Sequence, residues 1–407
     1  MRAQARRAGA AGRLDREVRE VRAVELTDVA AVLEDLRSTG LLRELREVES
    51  APGPRVRLDG RDVLLLCSND YLGLAGDQRV REAAARAALE WGAGSGASRL
   101  VCGNMTPHRE LEAELAAFKG TEACVLFGSG FLANTGVVAA LAGPGEVVLS
   151  DALNHASIVD GCRLARAQTI VYPHADLDGL AAALDRADGR RATIVTDAVF
   201  SMDGDVAPLE GIVQLARRHG ARIVVDEAHA TGVIGPAGRG LVAELGLERE
   251  IDVVVGTLSK ALGSYGAFAC AGAEMAALLV NTARTMIFST GLPPSCVAAA
   301  SEALRILRDE PAVVGRLHHN ARALRGELAA QGFAVEPSDM PIVPLVIGDP
   351  ADAMARCQAA LARGVFAQAI RPPTVPDGTS RLRLVAMASH TEAQLRDAAR
   401  VLGALAG

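Results

Sequence analysis

At 407 residues, with a formal net charge of -6 and a pI near 5.8, the chain offers no electrostatic footprint for nucleic acid or an anionic membrane, so a small-molecule partner is the default. Half of its residues are apolar, enough to bury the cores of two lobes. Seven scattered cysteines without a CxxC pair argue against a disulfide framework or a zinc site and fit a reducing cytoplasm; every apolar stretch is cut by Gly, Pro or charge short of the roughly 20 residues of a bilayer span.

The first 22 residues hold seven arginines broken by Asp15, Glu17 and Glu20, which reads as a solvated or loosely helical tail rather than a transit peptide. Residues 1–60 form an N-terminal segment, with 1–30 expected to be flexible. From about 61 to 290, short Val/Ile/Leu-rich runs alternate with helical patterns, as in an α/β domain whose large, mainly parallel sheet is covered on both faces. Strands are expected at Val63 to Cys67, Ala123 to Phe127, Val147 to Ser150, Thr169 to Tyr172, Thr193 to Asp197, Arg222 to Asp226, Asp252 to Val255 and Ala267 to Ala271. Amphipathic helices such as Asp77 to Trp91 and Pro208 to His219 fill the gaps. From 291 to 407 the pattern becomes that of a smaller α+β domain joined by the N-terminal segment. Helices at Pro293 to Asp309 and Pro311 to Gln331 precede strands near Phe333 to Val335, Ile342 to Ile347 and Leu382 to Val385, then a last helix from Thr391 to about Leu405.

In open parallel sheets ligands lie beyond the carboxyl ends of the strands, so the loops there carry the candidate chemistry. Gly128 to Asn134, a small-residue turn from strand to helix, presents N–H groups and a dipole end to an anion such as a phosphate, and equally suits a plain structural turn. His155 opens a helix after Val148-Leu-Ser-Asp151 and alone reads as readily as a cap. The turn Phe200-Ser-Met-Asp-Gly-Asp205 follows Asp197; with no His or Cys at ligand spacing, its carboxylates do not make a metal site. Asp226 ends a strand in Ile223-Val-Val-Asp-Glu-Ala-His-Ala-Thr-Gly232. A buried carboxylate there must be paired, by an arginine or by a protonated ring nitrogen, and His229 reaches the same cavity. Near the end, Arg381 and Arg383 alternate with Leu382 and Leu384 on one strand face, where a guanidinium either grips a carboxylate or faces solvent.

Only two of the 43 basic residues are lysines. Lys119 closes an apolar-periodic helix before Gly120, where a cation meets the negative end of the helix dipole. Lys260, in Gly256-Thr-Leu-Ser-Lys-Ala-Leu-Gly263 after the apolar run Val253 to Val255, has no such explanation and points to a need for an amine that arginine cannot supply. Asp226 and Lys260 end consecutive strands and can project into one site. Pyridoxal 5'-phosphate requires an amine, an acid partner for its ring nitrogen, a flat group for its ring face and a phosphate cradle. Lys260, Asp226, His155 and the Gly128 turn with Thr257 meet those needs.

Five stretches, Ser68-Asn-Asp-Tyr-Leu-Gly-Leu74, Phe200 to Asp205, Asp226-Glu-Ala-His-Ala-Thr-Gly232, Thr257-Leu-Ser-Lys260 and Ile370-Arg-Pro-Pro-Thr-Val-Pro376, resemble the α-oxoamine synthases, a family of fold-type I pyridoxal phosphate enzymes, in a match running from about Leu33 to the end. Within that family, Arg371 to Pro376 and Gly378 to Arg383 resemble the biotin-pathway branch, which condenses L-alanine with a pimeloyl thioester of CoA or of a carrier protein. Another amino acid or acyl thioester is the alternative, and Tyr265 stands where a smaller or amide residue is expected. The resemblance implies an aminotransferase-like α/β fold with Lys260 as the Schiff-base lysine, Asp226 at the ring nitrogen and His155 against the ring. It implies Ser201 and His229 near the ring oxygen, with Thr257 and the backbone of Gly130 and Phe131 around the cofactor and its phosphate. Arg383 would hold the amino-acid carboxylate, and Arg43 and Thr374 would contact the acyl substrate. Phe288 to Pro294 resembles a segment that crosses to a second subunit, so Ser289 and Thr290 would reach the partner's cofactor in a cytoplasmic homodimer with shared active sites.

Overall fold

The computed structural model describes residues 28–405, so the arginine-rich tail expected over the first 22 residues lies outside it. In chain order the strands are β1 Arg55–Leu58, β2 Arg61–Leu65, β3 Ala123–Phe127, β4 Val147–Asp151, β5 Gln168–Tyr172, β6 Ala192–Asp197, β7 Arg222–Asp226, β8 Val253–Thr257, β9 Ala267–Ala271, β10 Ile342–Gly348, β11 Val365–Phe366, β12 Gln368–Ile370 and β13 Ser380–Val385. Seven of them form one sheet in the order β3-β9-β8-β7-β6-β4-β5. All its neighbouring pairs are parallel except those of β9, which runs antiparallel to β3 and β8.

Helices cover both faces of this sheet, and its central strands are apolar on both sides: Val147, Val148, Leu149, Val224 and Val253 are all fully buried. The helix Gly130–Leu141 is apolar almost all round because it is itself enclosed, between β3 and the helix Ala156–Ala165. Gly161 permits the close approach of these two helices, since a Cβ there would stand 3.1 Å from the Asn134 carbonyl oxygen and 3.2 Å from Thr135 Cα. That contact fixes Asn134 beneath the carboxyl ends of the strands.

The remaining strands make two small sheets, β10-β13-β12, all antiparallel, and β1-β2-β11. Here the chain departs from expectation. Val63 to Leu65 of the run Val63 to Cys67, read as the first strand of the large sheet, lie in β2, which pairs with β1 and, in parallel, with β11. Its core is shared with C-terminal residues such as Leu324, Leu384 and Leu395. A short apolar run reads the same in any sheet, so membership is decided by partners far along the chain. Phe333 to Val335 is irregular rather than a strand, and the helix Pro350–Ala362 had no counterpart in the sequence reading. Among the described residues no helix is long and apolar enough to cross a membrane.

Candidate active site

The carboxyl ends of β6, β7 and β8 converge. Asp197 and Asp226 stand at the same register on neighbouring parallel strands, and Lys260 follows β8 by three residues. Lys260 Nζ lies 2.8 Å from His229 Nε2, and His229 Nδ1 lies 2.5 Å from the Tyr71 hydroxyl. Arg383, on β13, donates to Tyr71 Oη at 3.4 Å, to Asn69 Oδ1 at 3.1 Å and, through Nε, to the Ser201 carbonyl at 2.5 Å. One chain of contacts therefore runs from the lysine of the large sheet to an arginine of the small one. Arg381 turns to the same place and pairs with Asp203. Both guanidinium groups are buried rather than solvent-facing.

Electrostatics tune these groups. Burial lowers the pKa of Lys260 to about 8 in spite of the opposing pull of Asp226 and Asp197, with Arg383 adding to the depression. Burial, helped by Lys260, Arg383 and His155, holds His229 well below the usual histidine range, so its imidazole is neutral and carries one proton. Burial and then the neighbouring charge of Asp226 push the Asp197 carboxyl well up. Asp226 itself is firmly held: Oδ1 accepts from the Ala228 N–H at 2.7 Å and Oδ2 from Asn134 Nδ2 at 2.6 Å.

His155 caps the helix Ala156–Ala165, with Nδ1 2.7 Å from Ser157 Oγ, while its backbone N–H donates to Asp197 at 2.7 Å. His155 is exposed. The capping role and the ring-face position are compatible, because capping uses only one edge of the imidazole. Thr257 Oγ1 donates to the Gly266 carbonyl at 3.0 Å, and a Cβ on Gly130 would lie 3.9 Å from the Thr257 Cβ. Arg43 and Thr374 are exposed; Arg43 lies near Arg371, whose pKa falls through burial and this like charge. Ser289 and Thr290 line a pocket with Arg99 and Gly128 of their own chain.

Lys119 closes the helix Thr106–Lys119 before a left-handed Gly120, as expected, but the helix end does not account for it: it is 3% exposed, and its Nζ donates to Glu227 Oε2 at 2.7 Å, Thr231 Oγ1 at 2.8 Å and the Arg239 carbonyl at 2.6 Å. A buried ammonium needs such partners, and Glu227 lies 108 residues away, beyond the reach of local pattern. Four further residues bear on the site without having been singled out: Asn69, Tyr71, Asn134 and His174. The first two sit inside the Ser68 to Leu74 motif, which is their only signal in the sequence. Asn134 closes the Gly128 to Asn134 turn already read as an anion site. His174 has no local signal at all.

The inventory fits pyridoxal phosphate on grounds of its own chemistry. A lysine with a loosely held proton and a fixed buried carboxylate lie with a helix N-terminus whose Gly130 and Phe131 amides have no hydrogen-bond partner among the described residues. Such a fold and site define a pyridoxal phosphate-dependent enzyme of the aminotransferase type. The family model described as aminotransferase class I and II matches residues 61–402, and the chain belongs to that family and, within it, to the α-oxoamine synthases. It is 52% identical over 367 residues to an 8-amino-7-oxononanoate synthase from Anaeromyxobacter dehalogenans (strain 2CP-1), covering 90% of this chain and 92% of that one. It is 50% identical over 374 residues to the enzyme of that name from Geobacter sulfurreducens, covering 91% and 95%. Among solved structures it is similar to a serine palmitoyltransferase from S. paucimobilis with a bound PLP-myriocin aldimine, at a TM-score of 0.88 and 36% identity, covering 92% of this chain and 96% of that one.

Proposed function

We propose that this chain condenses L-alanine with a pimeloyl thioester, carried on CoA or on a carrier protein, to give 8-amino-7-oxononanoate, CO2 and the free thiol in biotin biosynthesis. The run of contacts from Arg383 through Tyr71 and His229 to Lys260 carries this reading, because it sets a carboxylate-binding fork beside a basic amine. The 8-amino-7-oxononanoate synthases that the chain resembles support the choice of substrates. Lys260, Asp226, His155, Ser201, His229 and Thr257, with the amides of Gly130 and Phe131, would hold the cofactor.

Bound there, pyridoxal phosphate supplies an electron sink for the carbanion formed at the amino-acid Cα. Arg383 grips the amino-acid carboxylate and so decides which Cα bond faces Lys260. With a pKa near 8, Lys260 Nζ is basic enough to take the Cα proton and acidic enough to return one near neutral pH. Neutral His229 faces Nζ through Nε2 and keeps it aimed, while Tyr71 orients His229 through Nδ1. Asp226, clamped by Asn134 and the Ala228 amide, keeps a fixed acceptor where a protonated ring nitrogen needs one. Arg43 and Thr374, both exposed, would contact the acyl substrate.

The same reading includes a cytoplasmic homodimer whose Ser289 and Thr290 serve the partner's site. Leu100, Val101, Phe131 and Phe288 stand exposed around the Gly128 turn and the Ser98 to Thr290 bridge, an apolar rim that a second copy would cover. It also includes the division into an N-terminal segment, a large domain and a small domain from about residue 291, supported by the separate core beneath β10 and β13. The test is to give the holoenzyme pimeloyl-CoA with alanine, glycine or serine in parallel and to weigh the products. An amino ketone and CO2 with alanine are expected. Condensation with glycine or serine alone, or amino transfer to a keto acid without CO2, would overturn the proposal.

A further inference from the structure

Among the described residues, only His174 has both ring nitrogens against carboxylates: Nδ1 is 2.9 Å from Asp151 Oδ1 and Nε2 is 2.6 Å from Asp205 Oδ2. Ionised carboxylates only accept, so both nitrogens donate and the ring is an imidazolium. The two carboxylates belong to different parts of the fold. Asp151 ends β4 and is fixed to the sheet, accepting also from the Leu153 and Ala175 amides, each at 2.8 Å. Asp205 closes the turn that begins at Phe200, with the Phe200 N–H donating to the Asp205 carbonyl at 3.0 Å and the Gly204 N–H to the Phe200 carbonyl at 2.8 Å. The Phe200 ring meets the imidazole edge-on at 4.3 Å. His174 thus ties the whole turn to the large sheet.

This turn is also where the arginines of β13 are seated. Its Ser201 carbonyl takes Arg383 Nε, and its Asp203 pairs with Arg381. Its Gly204, at φ +75°, presses so closely on β10 that a Cβ would lie 3.0 Å from the Ile342 carbonyl oxygen. We propose that the His174 imidazolium is a positioning residue for amino-acid binding: by holding the turn from Phe200 to Asp205 it sets the angle of Arg383, which it does not touch. The proposal rests on the reading of Arg383 as the carboxylate-binding residue.

The test compares the wild-type holoenzyme with Arg383→Lys, His174→Gln and the double variant His174→Gln/Asp205→Asn. Steady-state kinetics are measured in both substrates, with amide exchange at Gly204 and Ala207. Arg383→Lys raises the alanine KM, which checks the underlying reading by itself; an unchanged alanine KM there would overturn that reading and this proposal with it. His174→Gln raises the alanine KM about tenfold, the scale of one lost charge-assisted hydrogen bond, and leaves the thioester KM within about twofold. It also speeds exchange at Gly204 and Ala207. The double variant removes the stranded Asp205 charge, so its thermal midpoint returns toward wild type while the alanine KM stays high. If the double variant restored the alanine KM, or if His174→Gln moved both KM values alike or neither, His174 would be a structural tether only and the proposal would fail.

Discussion

Replacing Lys119 by methionine separates a structural lysine from Lys260, the one proposed to hold the cofactor. The substitution keeps the length of the side chain and removes three donated hydrogen bonds, to Glu227, Thr231 and the Arg239 carbonyl. It leaves the Glu227 carboxylate, fully buried, with only the Val242 amide at 2.8 Å as a partner among the described residues. Breaking a buried pair from one side costs about 3–5 kcal/mol, mostly through the stranded charge. With an unfolding entropy of about 2.1 cal/mol/K per residue, 407 residues give about 0.85 kcal/mol/K, so the thermal midpoint should fall by about 4–6 °C. Adding Glu227→Gln removes the unpaired charge and should recover more than half of the loss. Calorimetry of the holoenzyme at pH 7 reads both numbers. A midpoint within 1 °C of wild type for Lys119→Met, on the scale of about 0.85 kcal/mol/K above, would mean that Glu227 is relieved by water, and the account of this pair would be wrong. A double variant no better than the single would locate the cost in lost packing instead of charge.

Three further outcomes are expected. Lys260→Ala abolishes the visible absorption of lysine-bound cofactor, since Lys119 is sealed in its ion pair; a retained band would move the attachment to Lys119. Asp226→Asn binds cofactor but loses at least about tenfold in kcat, because an amide cannot favour a protonated ring as a carboxylate does, a difference of roughly 1.5–3 kcal/mol for a charge-assisted bond; near-normal turnover would reduce Asp226 to a structural role. Burial alone would lower the pKa of His174, but its bonds to Asp151 and Asp205 outweigh this and raise it from 6.5 to about 10. A raised pKa stabilises fully below the unfolded value and loses its contribution as pH climbs through the folded one. Wild-type stability should therefore decline between about pH 6.5 and 10 by more than that of His174→Gln, and parallel declines would count against the imidazolium.

The large sheet was legible because strands buried on both faces write unbroken apolar runs, as in Val253 to Val255 and Val147 to Leu149, and helices between them keep their own period. What local pattern omits is partnership. Val63 and Leu64 read as a strand but could not reveal that β11, some 300 residues on, is a neighbour. The two-residue and three-residue strands β11 and β12 are too short to show alternation. In the site, strand-end residues such as Asp226 and Lys260 stood out by type and position. Their supports did not: His174 meets carboxylates 23 and 31 residues away, and Asn134 meets Asp226 across 92. Such supports are chosen by the folded geometry, and only the quoted motifs hinted at Asn69 and Tyr71.

The scarcity of lysine also gives the molecule a built-in reporter. Neither side-chain amine is idle: Lys119 is locked inside its ion pair, and Lys260 is half-buried against His229. Amine-directed labels applied to the folded protein should therefore leave its surface side chains unmarked, and borohydride reduction should tag one peptide without background. After denaturation, a lysine-specific protease has only the bonds after residues 119 and 260 to cut. With the cofactor held on Lys260 as proposed, its reductive capture removes the second site, so a fragment spanning 120–407 on a gel measures the fraction of chains carrying it, without a spectrophotometer or a substrate.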